Sequence, residues 1–489
     1  MPAGLTLSDF YYILPEIVLT IGSLLVLVVS LVLPRFEQFS LYVSLVTLSV
    51  TGAVLLSFSG VDVMASRGLL AIDGFALFFK IIFLVSAALT IMMSGRYLSI
   101  EGARPGEYYF LILCATLGMM FMASGVDLIT LFIGLETMAV SFYILVGYLR
   151  PSQRSNEAAI KYLLLGAFSL GILLYGMSML YGLTGTTNLR EISAIVSNQE
   201  YSLMMLLALI LVTTGMGFKI AAVPFHMWAP DVYEGAPTPV TAYLSVGSKA
   251  ASFAMLMRIF FEGLPSLVSH WQVIFVCLAV LTMTLGNIAA LTQSNIKRML
   301  AYSSIAHVGY ILIGIAVATE RGITAALVYL GVYLFMQLGA FAVVTMLRRP
   351  DVLGDELKDL SGLYFRNPTA AIAMLVFMLS LGGIPPTAGF MGKFWIFSSA
   401  IDSGFIWLAV VGVVNSAISL FYYIRVVVFM WIKEEVIGST ISFRPAMAIV
   451  IVFAVVGTVF LGLYPQPLFE TALDAAATLG SVGSSGEYQ

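Results

Sequence analysis

Ionisable side chains interrupt long apolar runs at four places in this sequence. Glu136 lies in LITLFIGLETMAVSFYILVGY, Lys219 follows the apolar run 203–218, Lys249 lies in YLSVGSKAASFAMLM, and Lys393 lies in GGIPPTAGFMGKFW. A charged group inside hydrocarbon is costly, so such residues usually face a partner or water and often belong to ion or proton pathways. We therefore expect these four residues to carry out proton transfer.

Each of the four also has a structural interpretation. A carboxylate at the depth of Glu136 needs a partner or a proton, so it could belong to a permanent ion pair or stay protonated. The lysines could likewise be permanently paired. The functional hypothesis is that Glu136 and Lys219 form a switchable pair and Lys249 receives the proton. Lys393 would then be the outlet-side acceptor of a second unit.

Four further residues are candidate relay groups. His226 and His307 carry imidazoles, which titrate near physiological pH. His226 comes seven residues after Lys219, where it either relays protons or holds an irregular segment together. His307, close to Ser303, Ser304 and Tyr310, either relays protons or forms an interhelical hydrogen bond. Lys80 and Arg425 either neutralise an acid on a neighbouring helix or extend to the membrane interface.

The composition predicts the elements that hold these residues. Of 489 residues, 60% are hydrophobic and 10% are charged, with a mean hydropathy of +1.01, which excludes a soluble domain. About fourteen apolar segments reach spanning length. They lie at roughly 12–33, 40–58, 72–94, 108–124, 128–148, 158–181, 203–221, 239–261, 270–291, 297–318, 323–347, 370–398, 404–431 and 445–463. The fold class is therefore all-α, a polytopic membrane protein.

Two connections are longer than short turns, near 185–200 and 350–368. In the second, Leu353, Leu357 and Leu360 alternate with charged residues, a pattern that predicts a short surface helix. The other connections are expected to be short turns.

The distribution of Lys and Arg between the connections predicts the orientation. Fourteen basic residues follow odd-numbered segments: Arg35, Arg96, Arg104, Arg150, Arg154, Lys161, Lys297, Arg298, Arg348, Arg349, Lys358, Arg366, Lys433 and Arg444. Only four, Arg67, Arg190, Arg258 and Arg321, follow even-numbered ones. Basic residues are enriched in cytoplasmic loops. This asymmetry places the odd connections in the cytoplasm and both termini outside.

Prolines indicate an internal repeat. Lys219 precedes Pro224, and Lys393 follows Pro385 and Pro386, so two segments five apart combine a lysine with a proline break. Five is odd, so the second unit would be inverted relative to the first, as in many transporters. The predicted division is 1–107 for helices 1–3, 108–262 for the first repeat, 263–433 for the second, and 434–489 for helix 14 and the tail.

Motifs for other chemistry are absent from the sequence. It contains no Walker A loop, no dinucleotide-binding GxGxxG, no HExxH and no cysteine cluster for iron–sulfur ligation. We therefore predict no cofactor-binding residue and no metal site in this chain.

With these residues in place, the chain resembles the N subunits of respiratory complex I, the proton-pumping NADH-quinone oxidoreductase. The stretches that carry the resemblance are FKIAAVPFHMWAPDVYEGAPTPVTAYLSVGSKAA, NIKRMLAYSSIAHVGY and GGIPPTAGFMGKFW. Mrp-type cation/proton antiporters and membrane-bound hydrogenases share PFHxW and APTPV, so a subunit of either remains the alternative. In the family, the proton-transferring glutamate and lysines match Glu136, Lys219, Lys249 and Lys393.

The resemblance also implies a setting. NADH, FMN, iron–sulfur clusters and quinone would be bound by partner subunits, and this chain would be a non-redox subunit of the translocating enzyme. Its partners would be other membrane and peripheral subunits of complex I, especially neighbouring antiporter-like and small membrane subunits, together with the lipid bilayer and no nucleic acid. The location would be the bacterial inner membrane, with both termini periplasmic.

Overall fold

Long apolar helices account for most of the chain. The computed structural model describes residues 7–32, 37–200, 202–350, 352–432 and 445–479. Within these ranges, 13 helices are long and apolar enough to cross a membrane. A fourteenth segment, predicted at 370–398, is split into the 15-residue helices Pro368–Gly382 and Ala388–Asp402. The predicted all-α polytopic fold is therefore confirmed.

The elements follow one another along the chain with few long connections. The first part contains α1 (Leu7–Tyr12), α2 (Leu14–Val32), α3 (Glu37–Leu56), β1 (Val63–Ala65), β2 (Leu70–Ile72), α4 (Gly74–Glu101), α5 (Pro105–Ser124), α6 (Leu128–Val146), α7 (Gln153–Thr184), α8 (Leu189–Val196), α9 (Leu203–Ile220), α10 (Trp228–Gly235), α11 (Thr238–Tyr243) and α12 (Lys249–Met257). The second part contains α13 (Val268–Leu291), α14 (Ile296–Ala316), α15 (Glu320–Leu347), α16 (Leu363–Arg366), α17 (Pro368–Gly382), α18 (Ala388–Asp402), α19 (Ile406–Trp431), α20 (Pro445–Leu463) and α21 (Gln466–Thr478).

Burial separates central helices from peripheral ones. The span Thr238–Gly263, which contains α11 and α12, is buried along its whole apolar window, and α14 and α15 are nearly so. Only about a third of the apolar window is buried in the outer helices α2, α3, α7, α19 and α20. Their remaining side chains are large and apolar, and exposed apolar surface on a spanning helix is suited to contact with lipid. Side chains on the central helices are thereby shielded from the bilayer.

Local signals start several of the helices. Asp73 accepts a hydrogen bond from Ala76 N (2.8 Å) and caps α4, and Asp127 caps α6 by accepting from Ile129 N (2.9 Å). Ser202 and Asn295 cap α9 and α14 in the same way. Such caps satisfy backbone N–H groups that have no partner within the helix.

Two spans are broken, and the breaks have similar surroundings. After α9, Ala221 adopts a left-handed conformation (φ 61°), and the chain turns through Pro224 before α10 begins. After α17, Gly383 is left-handed (φ 83°), and the chain turns through Pro385 and Pro386 before α18. Proline removes a backbone donor and prevents the helix from continuing.

The breaks occupy matching places in two sets of five spans. The sets run from α5 to α12 and from α13 to α19, and the fourth span of each is the broken one. In both sets the first two helices pack closely together, as α5 with α6 and α13 with α14. The lysines differ in position, however, because Lys219 precedes its break in α9 and Lys393 follows its break in α18.

Several connections differ from the prediction. The segment between α3 and α4 is not a short turn but forms the antiparallel hairpin β1–β2, in which Met64 pairs with Ala71. The predicted surface helix in 350–368 is instead a 3₁₀ turn, Leu357–Leu360, followed by α16. Leu353 is exposed and only Leu357 and Leu360 are buried, and the left-handed Gly354 (φ 75°) prevents one continuous helix from including all three.

Two further differences concern the ends of spans. Arg258 does not lie in a connection, because the span that carries Lys249 continues through a π-helical segment, Arg258–Gly263. Beyond α20 the chain forms the additional helix α21 rather than a tail alone. Arg35, Lys433 and Arg444, which contribute to the orientation argument, lie outside the described residues, as do both termini.

Candidate functional site

Glu136 on α6 and Lys219 on α9 interact electrostatically but do not form a salt bridge. Lys219 is buried, Glu136 is half-buried, and the two groups are close enough to interact electrostatically. Lys219 Nζ and Glu136 Oε1 are both buried and have no hydrogen-bond partner among the described residues. The two charges therefore interact without the short contact that would fix them as a permanent pair.

Aromatic residues surround this pair. Tyr143, about two helical turns after Glu136 on α6, interacts electrostatically with Glu136, and its hydroxyl is likewise buried without a partner in the described part of the chain. The Tyr143 ring lies 4.8 Å from that of Tyr162, which stacks on Trp228 at 4.8 Å. Trp228 Nε1 donates to Phe218 O (2.9 Å) and so satisfies a carbonyl at the broken end of α9. A row of packed aromatic rings thus begins at Tyr143, which interacts with Glu136.

Lys249 lies in the middle of the fully buried span. It directly follows a π-helical turn, Leu244–Ser248, and π turns often occur at functional sites. Lys249 Nζ donates a hydrogen bond to Ser304 Oγ, and Tyr333 Oη donates to the same Ser304 Oγ (2.7 Å). The ring of Tyr233 lies 5.7 Å from Nζ. Ser304 therefore joins this ammonium to a tyrosine on α15.

His307 lies between Lys249 and Lys393. It is buried and within electrostatic reach of both lysines. Its Nδ1 is 2.6 Å from Tyr329 Oη and its Nε2 is 3.0 Å from Tyr423 Oη. The Tyr333 ring lies 5.3 Å from the imidazole, so His307 contacts the tyrosine that donates to Ser304. The histidine makes interhelical hydrogen bonds, and it does so at a position between two buried cations.

Lys393 binds the broken end of α17. Its Nζ donates to Leu381 O and Gly382 O, each at 3.0 Å, and to Ser416 Oγ at 2.8 Å. The carbonyl end of a helix carries partial negative charge, which attracts a cation. Gly383 allows this approach, because a Cβ there would lie 2.8 Å from Lys393 Cδ. Although Lys393 follows its break and Lys219 precedes its own, both lysines therefore lie at a helix break.

A tyrosine also connects Lys393 to the histidine. The Tyr310 ring lies 5.0 Å from Lys393 Nζ and 5.8 Å from the His307 ring. Tyr310 Oη accepts a hydrogen bond from Asn287 Nδ2 (3.0 Å), and Asn287 Oδ1 accepts one from Tyr422 Oη (2.8 Å). The second set of spans thus holds a continuous polar interior around His307 and Lys393.

The remaining predicted residues lie outside this interior. Lys80 forms a buried ion pair with Glu16, at 2.6 Å. The Arg425 guanidinium donates to Leu291 O (2.8 Å) and to Gln293 O, at the carbonyl end of α13. His226 is half-buried in the turn between α9 and α10, where its backbone carbonyl accepts from Ala229 N (2.9 Å). Because α9 ends at Ile220, His226 does not share a helical face with Lys219.

The structure also reveals a buried ionic cluster that the sequence did not indicate. Arg258 is fully buried and binds both carboxylate oxygens of Asp73 at 2.8 Å, as well as Glu262. It also donates to Ala123 O (3.0 Å) and lies over the ring of Phe75 at 4.7 Å. These contacts join the ends of α4, α5 and the Lys249 span. A permanent pairing of this kind fixes helix positions.

A buried lysine, Lys297, anchors the far end of the first break. Lys297 is buried and donates to Glu234 O (2.7 Å) and Ala236 O (2.6 Å), where α10 ends. Asp355 lies nearby in the connection after α15. Burial raises the pKa of Asp355 above its usual value, and the positive charges of Lys297, Arg154 and Arg348 oppose this only in part. The only sequence signal for Lys297 was its place at the start of an apolar segment.

The described residues contain no group of three or more His, Cys, Asp or Glu side chains that could hold a metal ion. What they hold instead is a series of ammonium, imidazole, hydroxyl and carboxylate groups inside the helix bundle. Such groups accept and donate protons, and hydroxyl groups between them can pass protons along hydrogen bonds. The arrangement can therefore store and transfer protons across the interior of the bundle.

Comparison with known proteins identifies relatives of this chain. Residues 125–419 match the family described as "NADH:quinone oxidoreductase/Mrp antiporter, TM". NADH-quinone oxidoreductase subunit N 2 of Solibacter usitatus is 46% identical over 481 residues, covering 95% of this chain and 97% of that protein. NADH-quinone oxidoreductase subunit N 1 of Koribacter versatilis is 47% identical and covers 95% of each chain.

Solved structures show the same fold. A chain of respiratory complex I from Thermus thermophilus is 33% identical and superposes with a TM-score of 0.80, covering 93% of this chain and 98% of that one. A chain of the Mrp complex from Dietzia sp. DQ12-45-1b has a TM-score of 0.86 at 23% identity, covering 97% of this chain and 98% of that one, which is evidence for the fold alone.

The helix bundle, its two broken spans and the relatives at 46–47% identity lead to one family. The chain is a multi-pass membrane protein that belongs to the NADH:quinone oxidoreductase/Mrp antiporter family, among the NADH-quinone oxidoreductase N subunits.

Proposed function

We propose that this chain translocates protons as the N-type membrane subunit of a respiratory NADH-quinone oxidoreductase, complex I. The observation that carries the proposal is the series of the half-buried Glu136 and the buried Lys219, Lys249, His307 and Lys393, within a bundle whose outer face is apolar. Buried polar atoms without partners are costly, and proteins retain them mainly where function uses them. Glu136 Oε1 and Lys219 Nζ are such atoms.

In this proposal the first set of spans works as a switch. Lys219 lies in the last turn of α9, next to the break, so a small motion of the break changes its distance from Glu136. A change in that distance alters how strongly Lys219 holds its proton. The proton then passes towards Lys249, which already donates to Ser304. Tyr333, His307 and Tyr310 connect that point to Lys393, the outlet-side group.

The chain itself performs no redox step in this proposal. NADH, FMN, iron–sulfur clusters and quinone belong to partner subunits, and the energy of quinone reduction reaches this chain through contacts with neighbouring membrane subunits. Those neighbours include other antiporter-like and small membrane subunits. The complex resides in the bacterial inner membrane, and both termini of this chain face the periplasm, as the distribution of basic residues predicts.

Purification under mild detergent tests the assignment directly. We expect flavin- and iron–sulfur-containing subunits to co-purify with the chain. In proteoliposomes that contain the complex, we expect the internal pH to change when NADH reduces quinone. Lys249→Met should assemble normally and lose most of that proton movement. Recovery of the chain without redox subunits, together with cation-driven proton exchange, would instead support a secondary antiporter.

A further inference from the structure

Tyr233 on α10 has neighbours around both Glu136 and Lys249. The side chain is fully buried, and its ring lies 5.7 Å from Lys249 Nζ. The same ring is 6.3 Å from that of Trp228, which stacks on Tyr162. Tyr162 in turn interacts electrostatically with both Tyr233 and Glu136. Tyr233 is therefore placed to connect the surroundings of the first charge pair with the fully buried span.

The neighbour of the Tyr233 hydroxyl on the Lys249 side is Ser304. The two groups are close, although Tyr233 Oη forms no hydrogen bond within the described part of the chain. Ser304 Oγ accepts hydrogen bonds from Lys249 Nζ and from Tyr333 Oη. A serine hydroxyl has two acceptor sites and one proton to donate. Because both acceptor sites are occupied, Ser304 has only its own proton left to share, and the Tyr233 oxygen is a neighbour that can accept it.

The Tyr233 hydroxyl is not explained by packing. Burying a hydroxyl without a hydrogen bond destabilises a fold, and phenylalanine would fill nearly the same space without that cost. Tyr243, in the same fully buried span as Lys249, provides the contrast. It is equally buried, but its hydroxyl lies 2.7 Å from Thr116 Oγ1 and so has a partner. A tyrosine at position 233 therefore indicates that its hydroxyl is used.

We propose that Tyr233 carries protons from the Glu136–Lys219 pair to Lys249, a step that rests on the proton translocation proposed above. Once Lys249 has passed its proton towards His307, its neutral amine accepts the proton of the Ser304 hydroxyl. Ser304 Oγ then takes the phenolic proton of Tyr233, and Tyr233 Oη receives a replacement from the side of the pair. Each oxygen loses one proton and gains one, so both hydroxyls end neutral and one proton has moved.

Removal of the hydroxyl tests this step. Tyr233→Phe keeps the ring, and NADH-driven proton movement in proteoliposomes should fall about 10-fold, which corresponds to about 1.4 kcal/mol in the barrier. Its Tm should not fall, because no hydrogen bond of Tyr233 Oη among the described residues is lost. Tyr243→Phe is the matched control, in which the lost hydrogen bond should lower Tm while proton movement per assembled complex stays normal. A lower Tm with normal proton movement in Tyr233→Phe would make Tyr233 a structural residue and overturn the proposal.

Two further variants examine the link to Ser304 and the need for a proton-carrying group. Tyr233→Phe/Ser304→Ala should be about as slow as either single variant, since both changes interrupt one transfer. A decrease of about 100-fold, the product of two independent effects, would exclude that link. Tyr233→His supplies an imidazole, which also carries protons, and should retain more of the rate than Tyr233→Phe. Equal losses in these two variants would show that only the shape of the ring matters.

Lys249→Met separates failure of this step from failure of the proposed function. All rates are expressed per bound flavin, so that reduced assembly is not mistaken for slow proton transfer. If Lys249→Met stops proton movement and Tyr233→Phe leaves it unchanged, the role of Tyr233 is wrong and the proposed function stands. If both variants move protons normally, the proposed function itself fails.

Discussion

Lys80 Nζ and Glu16 Oε1 are 2.6 Å apart, and each side chain is only 3% exposed. This pair joins α4 to α2 and neutralises both charges within the membrane-spanning part of the bundle. Glu136 and Lys219 behave differently, since they interact electrostatically but do not form a close ion pair. The bundle therefore contains one lysine–glutamate pair in direct contact, which we call closed, and one that interacts only electrostatically, which we call open. The closed pair has the geometry of a structural link.

The first prediction concerns that closed pair. Lys80→Met leaves the Glu16 carboxylate buried without its cation, and removing one partner of a buried pair typically costs about 3–5 kcal/mol. We expect less assembled complex and a lower Tm, but normal proton movement per assembled complex. The double variant Lys80→Met/Glu16→Gln should restore much of the assembly. Normal assembly of Lys80→Met with impaired proton movement would instead make Lys80 a relay group.

The second prediction concerns Lys393. Lys393→Met keeps the length of the side chain and removes the ammonium that binds Leu381 O and Gly382 O. Proton movement in proteoliposomes should fall at least about 10-fold, since a group that transfers protons contributes about 10²–10⁴-fold to rate. Lys358→Met, at an exposed lysine in the connection after α15, is the control and should have no effect. Full coupled activity of Lys393→Met would leave Lys393 with a structural role.

The third prediction tests the chain between Lys249 and the second set of spans. Ser304→Ala removes the hydroxyl that accepts hydrogen bonds from Lys249 and Tyr333. Loss of one such hydrogen bond is worth about 1.4 kcal/mol, so turnover should decrease about 10-fold. Ser252→Ala is the matched control, because its hydroxyl is buried in the same span as Lys249 but bonds back to Ser248 O (2.8 Å). Equal rates for the two variants would exclude Ser304 from the pathway.

Much of this arrangement could be predicted from the sequence. Glu136, Lys219, Lys249 and Lys393 were detectable because each is an isolated charge within an apolar run. The helix breaks were detectable from Pro224, Pro385 and Pro386, since proline has a strong local effect. The fourteen spans followed from length and hydropathy alone, and the family relation confirms the fold.

Other parts depend on packing that the sequence does not display. Arg258 lies near the end of one apolar run and Lys297 at the start of another, so the sequence places both in connections although both are buried. The roles of Tyr329, Tyr333 and Tyr423 have no sequence signal, because no pattern separates a tyrosine that packs in a spanning helix from one that forms a hydrogen bond. The Lys80–Glu16 pair joins residues far apart in sequence, and only the packing of α2 on α4 brings them together.

The fourth prediction concerns orientation. In a variant in which Ala replaces Cys114 and Cys277, we expect Ser99→Cys to react with a membrane-impermeant maleimide only from the cytoplasmic side. Ser197→Cys should react only from the periplasmic side. Both serines are exposed, so neither cysteine should be hidden within this chain. Gln153→Cys and Asn198→Cys form a second pair of exposed sites with the same expectation. Reversed labelling of both pairs would overturn the orientation derived from basic residues.

The last prediction concerns Glu136 and Lys219 as a switch. At an effective dielectric constant of about 20, the attraction between two unit charges is about 4 kcal/mol at about 4 Å and about 2 kcal/mol at about 8 Å. A change of about 2 kcal/mol shifts a proton-binding equilibrium about 30-fold. Motion at the break after α9 could therefore capture or release a proton at Lys219 without a large rearrangement.

Two substitutions of Glu136 separate charge from shape. Glu136→Gln keeps the shape of the side chain and removes its charge, so both proton movement and coupled quinone reduction should fall about 30-fold, the effect expected from losing about 2 kcal/mol of attraction. Glu136→Asp keeps the charge and should retain much of both activities. Glu157→Gln is the control, because Glu157 pairs with Lys161 at an exposed site where such a pair contributes about 0–1 kcal/mol. If the Gln and Asp variants assemble equally and translocate protons equally well, the charge at Glu136 has no role and the switch mechanism is wrong.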